Sequence, residues 1–344
     1  MSNPTIALWI GTYPKSDAAP GTGEGVWRVG IGADGRFTGG ELAAPVASPS
    51  FLASAVPGRT LLAVTETEPG TLTSFHVADD GALTPVATVT SGGSSPCHVV
   101  ATPAAAWVAN YGDGVAAVVP LAEGGALGEP RTFPHAGTGP VTDRQEGPHA
   151  HFVHVWGDRV LVADLGTDEL RTYPLDGSGA GEVAAVLPPG TGPRHLVELP
   201  DGTILLAGEL DCRLHVLVPA GSGRLEHVGS VAITARTMAD GAPGYPSHIT
   251  VAGDLVHVGV RGPDVLSVLR VQAAGDLAIE NVADVDLGAG AWPRHHAVLA
   301  DGELVVVAAQ NTDELLAVRL DRASGQGEIT DRLELPVPAC VLEA

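Results

Sequence analysis

A proline followed at once by a short apolar strand recurs seven times along this chain, and that recurrence limits the fold more than any other feature. The anchors are SPSFLA at Pro49, SPCHVV at Pro96, GPHAHFV at Pro148, GPRHLV at Pro193, YPSHIT at Pro246, WPRHHAV at Pro293 and VPACVL at Pro338. Successive anchor prolines lie 47, 52, 45, 53, 47 and 45 residues apart, about the span of a four-stranded propeller blade. Six anchors are followed by a second strand with a polar ending, at Glu66, Asn110, Asp164, Glu209, Arg261 and Gln310. The seventh lacks one after Pro338, and the N-terminal ALWIGTY, polar at Thr12, takes its place. The reading is therefore all-β: one seven-bladed β-propeller domain over residues 1–344, with the ring closed by the N-terminal strand in the last blade. No segment carries a sustained 3.6-residue apolar period with caps. Two longer stretches, Thr132 to Gly147 and Thr234 to Tyr245, are expected to be rim loops.

Composition bounds the partners. With 44% hydrophobic residues the 344-residue chain can build a sizeable core. Its 18 basic residues face 40 acidic ones for a formal charge of -22, which excludes non-specific binding to nucleic acid or to an anionic membrane. Lys15 is the sole lysine, so a cluster of arginines in this acidic chain invites a specific anion. Cys97, Cys212 and Cys340 form no CxxC pair and are odd in number, which fits a reducing compartment better than a disulfide framework. Without an export signal or a long apolar run, a cytoplasmic monomer or homodimer is expected.

In an antiparallel blade the first strand begins on the face where the second ends, so both sets of polar residues share one rim. The anchors bring His98, His149, His151, Arg194, His195, His248, Arg294, His295 and His296 to that rim. The second-strand ends add Glu66, Asn110, Asp164, Glu209, Arg261 and Gln310. For Asn110, Asp164 and Gln310 a structural role in capping turns stands beside a role in substrate binding. His149 and His151, two apart, share a strand face as metal ligands would, yet no third ligand stands at a suitable spacing, and no metal is assigned. GTGEG, GTGPV and GTGPR lie outside any strand-to-helix unit, and no GxSxG elbow occurs.

The ordered succession PCHV, VANYGDGV, QEGPHAHFV, VADLGTDEL, GTGPRHLVELPDG, GEL, WPRHHAV and AAQNTDEL resembles the seven-bladed lactonase family. That family includes the propeller-type 6-phosphogluconolactonases and the fungal carboxy-cis,cis-muconate lactonizing enzymes. The resemblance implies an enzyme of carbohydrate metabolism without a cofactor, hydrolysing a sugar-derived lactone, foremost 6-phosphogluconolactone to 6-phosphogluconate. A carboxymuconate-type cycloisomerase and a non-catalytic propeller holding an anionic ligand or a protein partner are the alternatives. It implies His149, Arg194, Glu209 and Arg261 as catalytic residues, with Glu209 or His149 as the base. His98, Asn110, Gln145, His151, Asp164, His195, His248, Arg294 and Gln310 are expected around a small anionic lactone. On this reading Glu209→Gln cuts turnover while sparing folding, and Arg194→Ala mainly weakens substrate capture.

Overall fold

The computed structural model describes residues 5–13, 25–56, 59–272, 278–299 and 302–344. Seven four-stranded antiparallel sheets form the blades of a propeller. The inner strands of blades 1 to 6 are Leu52–Val56, Pro96–Ala101, Ala150–Trp156, Pro193–Glu198, Tyr245–Ala252 and Pro293–Val298. In blade 7 the inner strand is Pro338–Glu343, and it pairs with Thr5–Thr12, so the two ends of the chain close the ring as expected. No helix among the described residues is long and apolar enough to cross a membrane.

The second strands are buried on both faces, which explains their continuous apolar runs: LVVVAA at Leu304–Ala309 and AAWVAN at Ala105–Asn110 are buried at every residue. Outer strands such as Leu83–Thr90 alternate with solvent. The core is divided among the gaps between blades. Leu205, Ala207 and Leu214 of blade 4, for instance, pack on Val256, Val258 and Val260 of blade 5, and Leu8, Ile10 and Val29 of blade 7 on Val306 and Ala308 of blade 6. Burying one such Val, Leu or Ile is worth about 1.5–3 kcal/mol, and half of each contact comes from a neighbouring blade.

Three turn aspartates fix where the next inner strand begins. Asp168, Asp264 and Asp313 are left-handed (φ 57, 55 and 56°), a conformation Asp tolerates better than most residues. Asp168 accepts from the Gly190 and Gly192 N–H groups at 2.7 and 2.8 Å. Asp264 accepts from Gly290 and Trp292 at 2.7 and 3.0 Å, and Asp313 from Val337 at 2.9 Å. Each pins the segment just ahead of an anchor proline.

Of the two expected rim loops, residues 132–134 belong instead to the outer strand Arg131–Pro134 of blade 2, and Tyr245 opens the inner strand of blade 5. The rest of the first stretch does run across the rim. It crosses the turn at Gly166 so closely that a Cβ there would sit 1.9 Å from the Gly147 carbonyl oxygen.

Candidate active site

Two backbone positions per blade build the site. The residue just ahead of the anchor proline is left-handed at Ser48, Ser95, Trp292 and Val337 (φ 44, 50, 51 and 43°). Its carbonyl accepts from the N–H of the residue just after the second strand: Glu66 donates to Ser48, Tyr111 to Ser95 and Tyr13 to Val337, each at 3.0 Å, and Glu209 to Gly192 at 2.9 Å. One residue into the inner strand the register shifts, leaving Cys97, His151, Arg194 and Arg294 as the extra residue in their blades. Such a bulge re-aims its side chain.

These two series meet in a cavity of about 210 Å³ lined by Glu66, Cys97, Tyr111, Arg144, His151, Glu209, Arg261 and Arg294. Its size is below the ~300–1,000 Å³ of sites for drug-sized ligands and suits a sugar-sized molecule. Glu209 is its electrostatic centre. Its Oε2 lies 2.7 Å from an Arg261 nitrogen and 2.8 Å from Arg194 Nε, while Arg144 holds Oε1. The Arg194 contact is an ion pair without hydrogen-bond alignment. Arg194 donates instead to the Ser247 carbonyl.

Burial alone raises the Glu209 pKa, but Arg261 and Arg194, with His151 and Arg144 behind them, hold the carboxyl well below its ordinary range. Opposite, Tyr13 donates to Glu66, and Arg294 donates to Tyr13 Oη at 2.6 Å. Burial raises the Tyr13 phenol far above its usual value, so it stays protonated. Three guanidiniums, Arg144, Arg261 and Arg294, and two carboxylates line this space, and Arg194 stands behind Glu209, leaving a surplus of positive charge in a chain of net charge -22.

Beside the cavity the channel is closed by six rings, one from each of blades 1 to 6. The centroids run Phe51–His98 4.2 Å, His98–Phe152 4.0 Å, Phe152–His195 4.5 Å, His195–His248 5.1 Å, His248–His295 3.7 Å and His295–Phe51 5.3 Å. His151 touches this circuit through His195 at 5.3 Å. Burial first, and neighbouring histidines and arginines second, depress the pKa of His98, His195, His248 and His151 well below the usual value, and that of His295 to about 3. All five are neutral imidazoles.

The structure thus divides the expected site residues. Glu209, Arg261, Arg294 and His151 line the cavity and Arg194 reaches it only through Glu209, whereas His98, His195 and His248 belong to the ring circuit. His149 is not on the cavity wall: its ring stacks on Tyr111 at 4.4 Å, and its Nδ1 lies 2.8 Å from the Tyr111 carbonyl oxygen. The reason is a two-residue offset. In blade 3 Ala150, not Pro148, occupies the anchor position, pairing with Asp164 as Pro96 pairs with Asn110. His151 is therefore the counterpart of Cys97 and Arg194.

Asn110 lies inside its blade, bonded to Ser91 and Val115. Asp164 caps its own turn and pairs with His135 at 2.5 Å, and that His meets the Tyr173 hydroxyl at 2.9 Å. Gln145 pins the rim loop to Leu165 and Asp168 at 2.9 and 2.8 Å. Gln310 sits in a short 3-10 turn beside Asn311. Sequence reasoning missed Arg144, Tyr111, Cys97 and Tyr13 as site residues. An arginine inside the flagged stretch after Thr132 was the one available signal for the first. Among the described residues no group of three or more His, Cys, Asp or Glu is arranged to hold a metal ion.

Comparison with known proteins bears on the fold and the family. A protein of Arthroderma benhamiae named probable 6-phosphogluconolactonase is 28% identical over 86% of this chain and 79% of its own length. Protein YwcC of Lactococcus lactis is 27% identical over 87% of this chain and 89% of its own. The periplasmic gluconolactonase PpgL of Pseudomonas aeruginosa superposes with a TM-score of 0.87 at 26% identity, covering 99% of both chains. Residues 7–343 match the family model for the seven-bladed β-propeller lactonases, and the chain belongs to that family.

Proposed function

We propose that this protein hydrolyses an anionic sugar lactone, with 6-phosphogluconolactone as the leading substrate. The observation that carries the reading is the surplus of guanidinium charge around a small cavity lined by the neutral imidazole of His151, whose buried Nδ1 has no hydrogen-bond partner among the described residues. Membership of the lactonase family and the names of the Arthroderma and Pseudomonas relatives support it.

The roles follow from electrostatics. Glu209 has its lone pairs committed to Arg144, Arg194 and Arg261, so it is a poor proton acceptor and acts by positioning the arginines. His151 accepts the proton of a water that attacks the lactone carbonyl carbon. The oxyanion that forms is stabilised by the fixed guanidinium of Arg261 on the cavity wall. The ring C–O bond then breaks, and the departing alkoxide takes the proton back from His151, consuming one water and giving the open acid. The unpaired, buried Cys97, Cys212 and Cys340 support a reducing, cytoplasmic setting.

The test is the hydrolysis of freshly generated 6-phosphoglucono-δ-lactone, with the spontaneous rate subtracted and oxygen-18 water as solvent. Acceleration with one labelled oxygen in the acid is the expected result. No acceleration with this lactone or with unphosphorylated aldonolactones refutes the proposal.

A further inference from the structure

We infer that Arg144 is the specificity-determining residue for the charged group of the substrate, leaving Glu209 to bind that group when the lactone enters. The inference rests on the lactonase reading and concerns which of four arginines recognises the phosphate or carboxylate.

Three of the four are built into the blades. Arg194 is almost fully buried and donates to the Ser247 carbonyl. Arg261 donates to the Tyr245 and Pro246 carbonyls at 3.1 and 3.3 Å and lies over the Trp292 ring at 5.5 Å. Arg294 is held by Tyr13, through its hydroxyl at 2.6 Å and its ring at 4.9 Å. Moving any of them strands a buried carbonyl or an aromatic contact. Arg144 differs on each count: its side chain is 36% exposed, it comes from the rim loop, and its partners are the side chains of Glu209 and Tyr111.

The backbone that carries Arg144 is nevertheless fixed. Gln145 anchors the next residue to Leu165 and Asp168, and the Arg144 N–H donates to the Val141 carbonyl at 2.9 Å. A partly exposed guanidinium that holds only side-chain partners, on an anchored backbone, is suited to exchange one carboxylate for another anion. Glu209 loses little by the exchange, because Arg194 and Arg261 remain on its Oε2. A phosphate accepts two parallel bonds from one guanidinium, so the exchange is favourable for a phosphorylated lactone and has no driving force for a neutral one.

The experiment compares wild type, Arg144→Ala and Arg144→Lys on 6-phosphoglucono-δ-lactone and on glucono-δ-lactone. Binding of the two products, 6-phosphogluconate and gluconate, is measured alongside by calorimetry. For Arg144→Ala the expected result is a kcat/KM that falls at least tenfold further on the phosphorylated lactone than on the neutral one. That excess appears in KM and not in kcat, Arg144→Lys recovers part of it, and 6-phosphogluconate affinity falls at least tenfold. Equal losses on both lactones would show that Arg144 only positions Glu209, and no loss on either would show that it is idle; both overturn the inference. If the wild type hydrolyses neither lactone, the function proposal fails and calorimetry still decides the role of Arg144. In that case unaltered 6-phosphogluconate affinity in Arg144→Ala, or no binding by the wild type, overturns it.

Discussion

Acid should unfold this protein well before its carboxylates titrate. His98, His151, His195, His248 and His296 are held neutral far below their ordinary range, His295 down to about 3 and His257 to about 4, in every case chiefly by burial. In the unfolded chain each imidazole titrates near 6.5. Above that value both states are neutral and these groups leave stability untouched. As pH falls below it the unfolded state takes up protons that the folded state refuses, and stability drops.

Between pH 7.5 and 5.5 each imidazole favours the unfolded state by about 1.4 kcal/mol, and the seven together by roughly 9 kcal/mol. A domain of ordinary stability has about 5–15 kcal/mol to lose. Thermal melts followed by circular dichroism at constant ionic strength should show Tm falling by roughly 15 °C or more over this interval. A variant carrying His98→Phe and His248→Phe, which extends the pattern of Phe51 and Phe152 around the circuit, should lose about 3 kcal/mol of that pH dependence. A Tm that moves by less than about 3 °C between the two pH values would refute the reasoning.

Glu209→Gln should cost folding as well as turnover, against the expectation from sequence. It leaves the buried Arg194 and Arg261 without their counter-charge, a loss of about 3–5 kcal/mol that urea unfolding would report; a midpoint equal to wild type would contradict the cage. His151→Asn should lower kcat by about 10²–10⁴-fold, while His149→Asn, with its ring on Tyr111 outside the cavity, costs less than about tenfold; the reverse order would return the base to His149. Asp264→Ala removes the acceptor for Gly290 and Trp292 and should destabilise by about 2–4 kcal/mol. Asp264→Asn should recover part of that in the same measurement, and equal melts for all three proteins would show that the staple is dispensable.

The blades and their closure were legible because an anchor proline and an apolar second strand repeat in every one, and packing between blades requires both. The site was legible where the repeat is regular. Arg194 and Arg294 immediately follow their prolines, Arg261 ends its second strand and Glu209 comes directly after its own. It misled where one residue of register changes everything, since neighbouring residues in a strand face opposite ways. Tyr111 lines the cavity while Asn110 turns into the blade. Blade 3 misled by a different route, an offset of two residues along the chain: Pro148 stands two residues ahead of the true anchor position at Ala150, so His149 is expected where His151 stands. Arg144 carries no periodic signal, since it reaches the cavity from a loop whose course depends on Gln145 and Gly166.

The bulge at the head of the inner strands separates what the molecule must keep from what it is free to change. The residue after the bulge enters the ring circuit, where volume and neutrality are constrained. The bulged residue itself lines the cavity or supports its wall: Cys97, His151, Arg194 and Arg294 hold four such slots, and Ser50, Ser247 and Ala339 stand at the equivalent sequence positions after Pro49, Pro246 and Pro338. A combinatorial library confined to those slots would vary charge and shape around the ligand while leaving the plug and the blade packing in place. New substrate preferences should therefore be reachable from this scaffold by few substitutions, each one proline away from a fixed point of the backbone.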